Sequence, residues 1–563
     1  MRKIDISKLI PWVLLVLLLI FRVWLGEKVG NQFYASQVYD DQLLIRYAYL
    51  PSHFFEPNID SLLKTMSYPL FLSFVKVSGL SYTFVLSCVW CCTALYFGSV
   101  FYRISDKNKI IGWVSFAYIL FFPTAFELWQ GTRLYRNAII APFVIMLFSY
   151  LLIITWKNIK SKISYLDIII SIIFGVLFSF TYYIKEDGLW ILACLLFAIL
   201  VNTIIEIIKF VKNRRGKRFT MILLTIWIPI FVFIGITGIY KCVNNYYFGV
   251  SEVETRNGGN LGEFVSLIYK IESTDRNNVV WAPKDAVDKA WNASPTLQKM
   301  PDLYESITHT PWYSQDIEKH PIQGDFLTWV LRTALNDTGR WTNEREVDAL
   351  FNKVNEEIKD AFDKGELQKD SRIQLLSSAG GKSIQEILNL NPLIVQEYIG
   401  AVQLNGYESG AGAVAEVEPR EIAEAGRNLT HISYLTDYSK KEISGVVIGF
   451  INIVFMVYSI INTLLFISVM LGIILFLIIL VKQIKEKSIG TVNVFLGLGC
   501  LIFLGISFAY AFAIAWFSDF LFVAGIQPLT LNFYSIGLPA ILSFSYFTNL
   551  VNVYFWFKRR KTI

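Results

Sequence analysis

Asp40 and Asp41 stand side by side in the stretch Tyr39-Asp-Asp-Gln-Leu-Leu-Ile-Arg46. A carboxylate at a water–lipid boundary can serve as a general base. It can take the proton of a hydroxyl while that hydroxyl attacks an activated carbon, a contribution of typically ~10²–10⁴-fold. Further along, Arg133 and Arg136 share the short turn Glu127-Leu-Trp-Gln-Gly-Thr-Arg-Leu-Tyr-Arg136, and Lys185-Glu186-Asp187 forms another turn. Guanidinium forks grip phosphate oxygens in pairs, and such cations neutralise a departing phosphate. Asp40 is therefore the candidate base, with Asp41 and Glu186 as the other candidate catalytic acids. Arg133, Arg136, Lys185 and Arg46 are the candidate phosphate ligands. Glu127 and Asp187 are candidates for a second acid orienting the acceptor, and Glu127 or Glu186 could also hold a divalent cation. The plain alternative is that the acid pair is solvated at a helix start and that the cations snorkel or pair with Glu127, Glu186 and Asp187.

Those residues must be positioned by membrane helices. The chain has 563 residues, is 54% hydrophobic and 16% aromatic, and is only 17% charged. Its mean hydropathy is +0.47. A soluble protein of this length carries more charge. The net charge of +6 is no nucleic-acid signal, because most basic clusters flank apolar runs. About ten runs reach the ~20 residues that a bilayer needs, roughly 9–26, 80–102, 110–127, 135–156, 165–184, 188–208, 219–240, 453–481, 489–517 and 528–557. Arg22 interrupts the first and no small-residue cleavage site follows, so it reads as a retained anchor.

Lysine and arginine set the orientation. Arg2, Lys3 and Lys8 precede the first span. Further clusters follow the even-numbered spans, the largest running from Lys209 to Arg218, and Lys558 to Lys561 ends the chain. Ten spans with both termini cytoplasmic put every cluster inside. To keep that count, 443–452 must be an interfacial helix leading into one span, and Ser67–Ser78 must lie along the outer interface.

Two outer pieces follow: a first loop of about 27–79, and a domain of about 241–443 inserted between spans seven and eight. The expected organisation is thus an N-terminal membrane module, 1–240, an extracytoplasmic domain, 241–443, and C-terminal membrane helices, 444–563. The insert reads as mainly helical. Asn343 caps a helix with Glu346 at its third position and Gly365 at its end. Asp325 caps a second helix, and Asn391-Pro392 opens a third. Its tryptophans, Trp281, Trp291, Trp312, Trp329 and Trp341, could stack on sugar rings but are expected to form a core. Gly380-Gly-Lys-Ser383 ends like a phosphate loop but has Leu376 where the first glycine belongs. The cysteines and histidines show no metal spacing.

Taken together, the chain resembles the GT-C superfamily of polytopic glycosyltransferases, which includes the protein O-mannosyltransferases and the aminoarabinose transferase of lipid A. The resemblance rests on Asp40-Asp41 in the first outer loop, Tyr68-Pro-Leu-Phe-Leu-Ser-Phe74, Arg133-Leu-Tyr-Arg136, Lys185-Glu-Asp-Gly-Leu-Trp190 and Tyr534-Ser-Ile-Gly-Leu-Pro539. It implies a polyprenyl-phosphate-linked sugar donor, transfer on the outer face of the cell membrane, and an envelope glycan, lipid or protein as acceptor. Two positions depart from the pattern. Phe533 stands where family members commonly carry arginine, and Asn137 follows Arg136 where an acid is common. The rival classes are a transporter or flippase of a lipid-linked or envelope precursor, and a non-catalytic envelope-assembly or sensor protein. A transporter usually carries ionisable groups near mid-span, and no assigned span has one.

Overall fold

The computed structural model describes residues 6–31, 38–49, 58–213, 216–309, 322–409, 424–426, 428, 444–485, 491–523 and 529–560. Among these, seven helices are long and apolar enough to cross a membrane: Ile10–Val29, Tyr82–Ile104, Asn137–Ile159, Leu189–Lys212, Arg218–Phe248, Gly445–Lys485 and Val492–Leu521. The chain is an α-helical polytopic membrane protein. Lys109–Ala125 and Leu166–Tyr182 are apolar but shorter. The last helix, Gly537–Arg560, is long, yet it carries Ser543, Ser545, Thr548, Asn549 and Asn552 along its length.

Close helix contacts are made where side chains are small, because dispersion replaces the hydrophobic effect inside a bilayer. Tyr82–Ile104 and Lys109–Leu120 form an antiparallel hairpin. A Cβ at Gly98 would lie 2.8 Å from the Cβ of Phe116. Ser81 opens the first of these helices by accepting from the Phe84 amide, and the Asn108 carboxamide opens the second. Thr491–Val523 packs on Gly537–Arg560, and Asn137–Ile159 sits centrally between Tyr82–Ile104 and Gly537–Arg560.

Two expectations about the membrane part change. Residues 445–485 form one continuous 41-residue helix, so the stretch before the span joins it without a break. Val447, Ile451, Val454 and Phe455 bury one face from its first turns onward, and Phe450 meets Phe21 edge-on. Continuing the helix therefore satisfies both packing and backbone. At the other edge of the insert, Gly216–Phe248 runs past residue 240 before it ends. Ser67–Ser78 is a helix as expected. It buries Tyr68, Phe71, Leu72 and Val75 and leaves Leu70, Phe74 and Val77 exposed.

The insert is built from short helices and a two-stranded antiparallel ribbon, Val280–Ala282 with Ile322–Gln323. Asn343 accepts from the Glu346 amide at 2.9 Å and starts Glu344–Asp363. Val347, Phe351, Val354 and Ile358 are buried on one face of that helix, and Gly365 adopts a positive φ just past its end. Asn391–Gln403 begins with proline in its first turn, as read from the sequence. Trp281, Trp291, Trp329 and Trp341 are all buried, which is the core role; Trp312 lies outside the described residues.

The insert is bolted to the membrane helix Thr491–Val523. Lys382 Nζ lies 2.8 Å from Asp519 Oδ2, both buried. Trp516 Nε1 donates to Gly380 O at 3.2 Å. Trp281 meets Phe520 edge-on at 5.0 Å. Gly324, at φ +48°, brings backbone against the same ring, and a Cβ there would lie 2.3 Å from it. The Gly380–Ser383 segment is thus an anchor. Beside it, Asn391–Gln403 packs on three long helices, Gly445–Lys485, Thr491–Val523 and Gly537–Arg560. Ile384, Leu388, Val395 and Ile399 remain exposed along this edge.

Candidate functional site

After the first long helix, a widened turn, Val38–Gln42, feeds the helix Leu43–Tyr49. Leu43, Leu44 and Tyr47 are buried, fixing the helix in place. The turn sends the paired aspartates into different surroundings. Asp41 is fully buried, whereas the Asp40 side chain keeps 33% of its surface exposed.

Asp41 is gripped by the Arg133 fork. Arg133 Nε lies 3.0 and 3.1 Å from the two carboxylate oxygens, and Nη2 donates to Oδ1 at 2.5 Å. Asp40 Oδ1 accepts from Lys64 Nζ at 3.1 Å and from the Tyr135 hydroxyl at 3.2 Å. That hydroxyl in turn accepts from Arg136 Nε at 2.9 Å. Arg136 Nη1 reaches both oxygens of Glu186 at 2.7 Å. A continuous polar chain therefore runs Lys64–Asp40–Tyr135–Arg136–Glu186, drawn from three segments between helices.

An aromatic wall backs it. Phe533 stacks on Tyr135, ring centres 5.5 Å apart, and its carbonyl accepts from Asn137 Nδ2 at 2.9 Å. The Arg133 guanidinium and the Lys185 ammonium lie 5.2 and 5.6 Å from the Phe533 ring centre. Phe533 thus holds two cations by its face. A small cavity opens beside Lys185 and Asp187, bounded by Tyr182, Trp190 and Tyr510.

The insert also reaches the cluster. Arg256 pairs with Asp325, and Trp329 carries both Arg256, at 5.1 Å, and Lys64, at 5.5 Å, over its ring. Asp325 is therefore no helix cap. The helix Leu327–Asp337 starts at Phe326 without a side-chain cap.

Electrostatics separate the acids. Burial opposes ionisation of Asp40, yet Lys64, Arg136 and Arg133 hold its carboxyl well below the usual range. Glu186 suffers the same burial and is held at about 2 by Arg136, Lys64 and Arg256. Burial lowers Lys64 against the pull of Asp40. It also brings Lys185 down to about 8, with Asp187 opposing and Arg136 adding to the fall. Glu254 rises to about 7 through burial and the neighbouring Glu186 charge. A carboxylate as acidic as Asp40 is a weak base while Lys64 stays on it. An anion that draws Lys64 away would raise its basicity.

Asp40, Asp41, Arg133, Arg136, Lys185 and Glu186 are thus brought together. The others are not equals. Arg46 faces Asp60 at 3.9 Å and is about a quarter exposed. Glu127 folds back on its own turn, accepting from the Trp129 and Gln130 amides at 2.9 and 2.7 Å. Burial then raises it to about 8 despite those bonds. Asp187 is exposed beside Lys185. Lys64, Tyr135, Phe533, Arg256, Asp325 and Trp329 are additions that sequence reasoning did not assign to the site. Tyr135, set between two arginine neighbours, was the one local signal. No group of three or more His, Cys, Asp or Glu poised for a metal occurs among the described residues. No protein-family model, curated protein or solved structure matches this chain.

Proposed function

We propose that the chain is a GT-C-type membrane glycosyltransferase. It moves a sugar from a polyprenyl-phosphate donor to an envelope glycan, lipid or protein on the outer face of the membrane. The proposal includes the ten-span topology, with both termini cytoplasmic and the 241–443 domain outside. The observation that carries it is the convergence of Asp40, Asp41, Arg133, Arg136, Lys185 and Glu186, from segments about 90 and 50 residues apart, into one cluster.

In the reaction, the acceptor hydroxyl attacks the anomeric carbon and gives its proton to Asp40. The bond from that carbon to the phosphate oxygen breaks, and the phosphate leaves with the electron pair. Arg136, Lys64 and Lys185 take up its charge. The Asp41–Arg133 pair fixes the turn that aims Asp40. Asp40 Oδ2 accepts no hydrogen bond among the described residues, so it is the oxygen open to an acceptor.

One observation favours a second reading, a non-catalytic envelope scaffold: Arg133 and Arg136 each already grip a carboxylate. Purified protein in detergent, given radiolabelled polyprenyl-phosphate sugar and an envelope fraction, decides between them. Label transfer that Asp40→Asn abolishes supports the enzyme. Absence of transfer with every envelope fraction removes it.

A further inference from the structure

A guanidinium or ammonium group buried for structure alone normally spends its donors. Three cations of the cluster, Lys64 and Arg136 buried and Arg256 half-buried, keep donors idle. Lys64 is 2% exposed and has three N–H groups, yet its one hydrogen bond among the described residues is to Asp40. Arg136 uses Nε on Tyr135 and Nη1 on Glu186, which leaves Nη2 without an acceptor there. Arg256 spends Nη2 on Asp325, while its Nε and Nη1 find no acceptor among the described residues. Arg256 is nevertheless held firmly. Its amide donates to Glu254 at 2.7 Å, its carbonyl accepts from Thr328, and its guanidinium lies over Trp329. Lys64 shares that indole.

We infer that the insert completes an anion site. Arg256, Lys64 and Arg136 together form a pocket for one phosphoryl group, and in the resting protein the Glu186 carboxylate stands in for that group. A prenyl phosphate monoester, the leaving group of the proposed transfer, presents three outward oxygens where a carboxylate presents two, so it can engage donors that Glu186 leaves idle. The depressed Glu186 carboxyl, held down by all three cations, agrees with this placement. The inference rests on the transferase reading for its ligand, a prenyl phosphate headgroup. It gives the insert a contact with the phosphate that the donor releases.

The test is direct binding, with no turnover needed. Geranyl phosphate is titrated into the full-length detergent-purified protein, and inorganic phosphate is titrated in parallel. Glu186→Gln removes the stand-in and keeps its shape, so geranyl phosphate should bind roughly tenfold tighter. Arg256→Gln should weaken binding by roughly tenfold, the scale of one charge-assisted hydrogen bond. Inorganic phosphate matching geranyl phosphate in both variants upholds the anion site and marks free phosphate as its source. A response confined to geranyl phosphate upholds it for the lipid headgroup. Unchanged or weaker binding in Glu186→Gln overturns the inference, and that arm stands even if Arg256→Gln does not fold. Intact binding without sugar transfer would sink the reaction and spare the site, and the converse result would do the opposite.

Discussion

Two arginine–carboxylate clusters join the segment after the first helix to the insert, and they differ in how completely they are satisfied. Arg332 is 2% exposed and spends every nitrogen. Nε donates to Ile59 O at 2.8 Å and Nη1 to Thr255 Oγ1 at 3.0 Å, while Nη2 donates to Ser61 O at 2.7 Å and Glu344 Oε1 at 3.0 Å. Trp341 covers it at 4.2 Å. That cluster ties residues 59–61 to the insert and leaves no Arg332 nitrogen idle. Around Asp40 the same residue types leave, among the described residues, donors idle on three cations and one carboxylate oxygen open. A saturated ion cluster works as a fastener, whereas an unsaturated one keeps capacity for a ligand.

The contrast can be broken most forcefully at the fastener. Arg332→Ala strands Glu344 and two backbone carbonyls, a loss on the order of 3–5 kcal/mol. Thermal unfolding in detergent should drop steeply, and near-normal stability would erase the distinction. Asp40→Asn should leave a folded, membrane-inserted protein whose transfer rate falls at least ~10²-fold, the scale of a lost general base. Unchanged turnover there would remove Asp40 from the mechanism. Arg136→Ala should raise the donor concentration needed for half-maximal rate more than the acceptor concentration. Equal rises would put Arg136 with the fasteners.

The smallest effect sharpens the comparison through pH. Glu127 titrates at about 8 in the folded protein against an ordinary 4.5. The folded state therefore holds its proton more tightly, and stability falls as pH rises between those values. Glu127→Gln should match the native melting temperature near pH 5 and exceed it near pH 8.5. A uniform offset at both pH values would assign Glu127 a different role. Glu186 works in the opposite sense, since its depressed carboxyl stabilises at neutral pH and loses that contribution as pH falls from its ordinary 4.5 towards about 2.

Much of the architecture could be read from local signals. Apolar runs gave helices close to the expected places, Asn343 and Asn391-Pro392 opened the helices predicted for them, and the tryptophans became core. The acid pair and the basic turns were visible as charges with no business near lipid. Their partners were not. Lys64 to Asp40 spans 24 positions and Arg256 to Asp325 spans 69, and no periodicity encodes a contact made across loops. Asp325 was misread because Asp before an apolar run is a cap signal, and a long-range guanidinium outcompeted the local amide. Gly380–Ser383 lacked the first glycine of a phosphate loop, and its lysine serves Asp519.

The docking of the insert also decides how this protein can be handled. Cut loose at its boundaries, residues 249–409 would carry Lys382 stripped of its aspartate, a naked Trp281 face and the oily side chains Ile384, Leu388, Val395 and Ile399 into bulk water. Such a fragment would clump on expression. Antibodies or binding partners are therefore best raised against whole protein in nanodiscs.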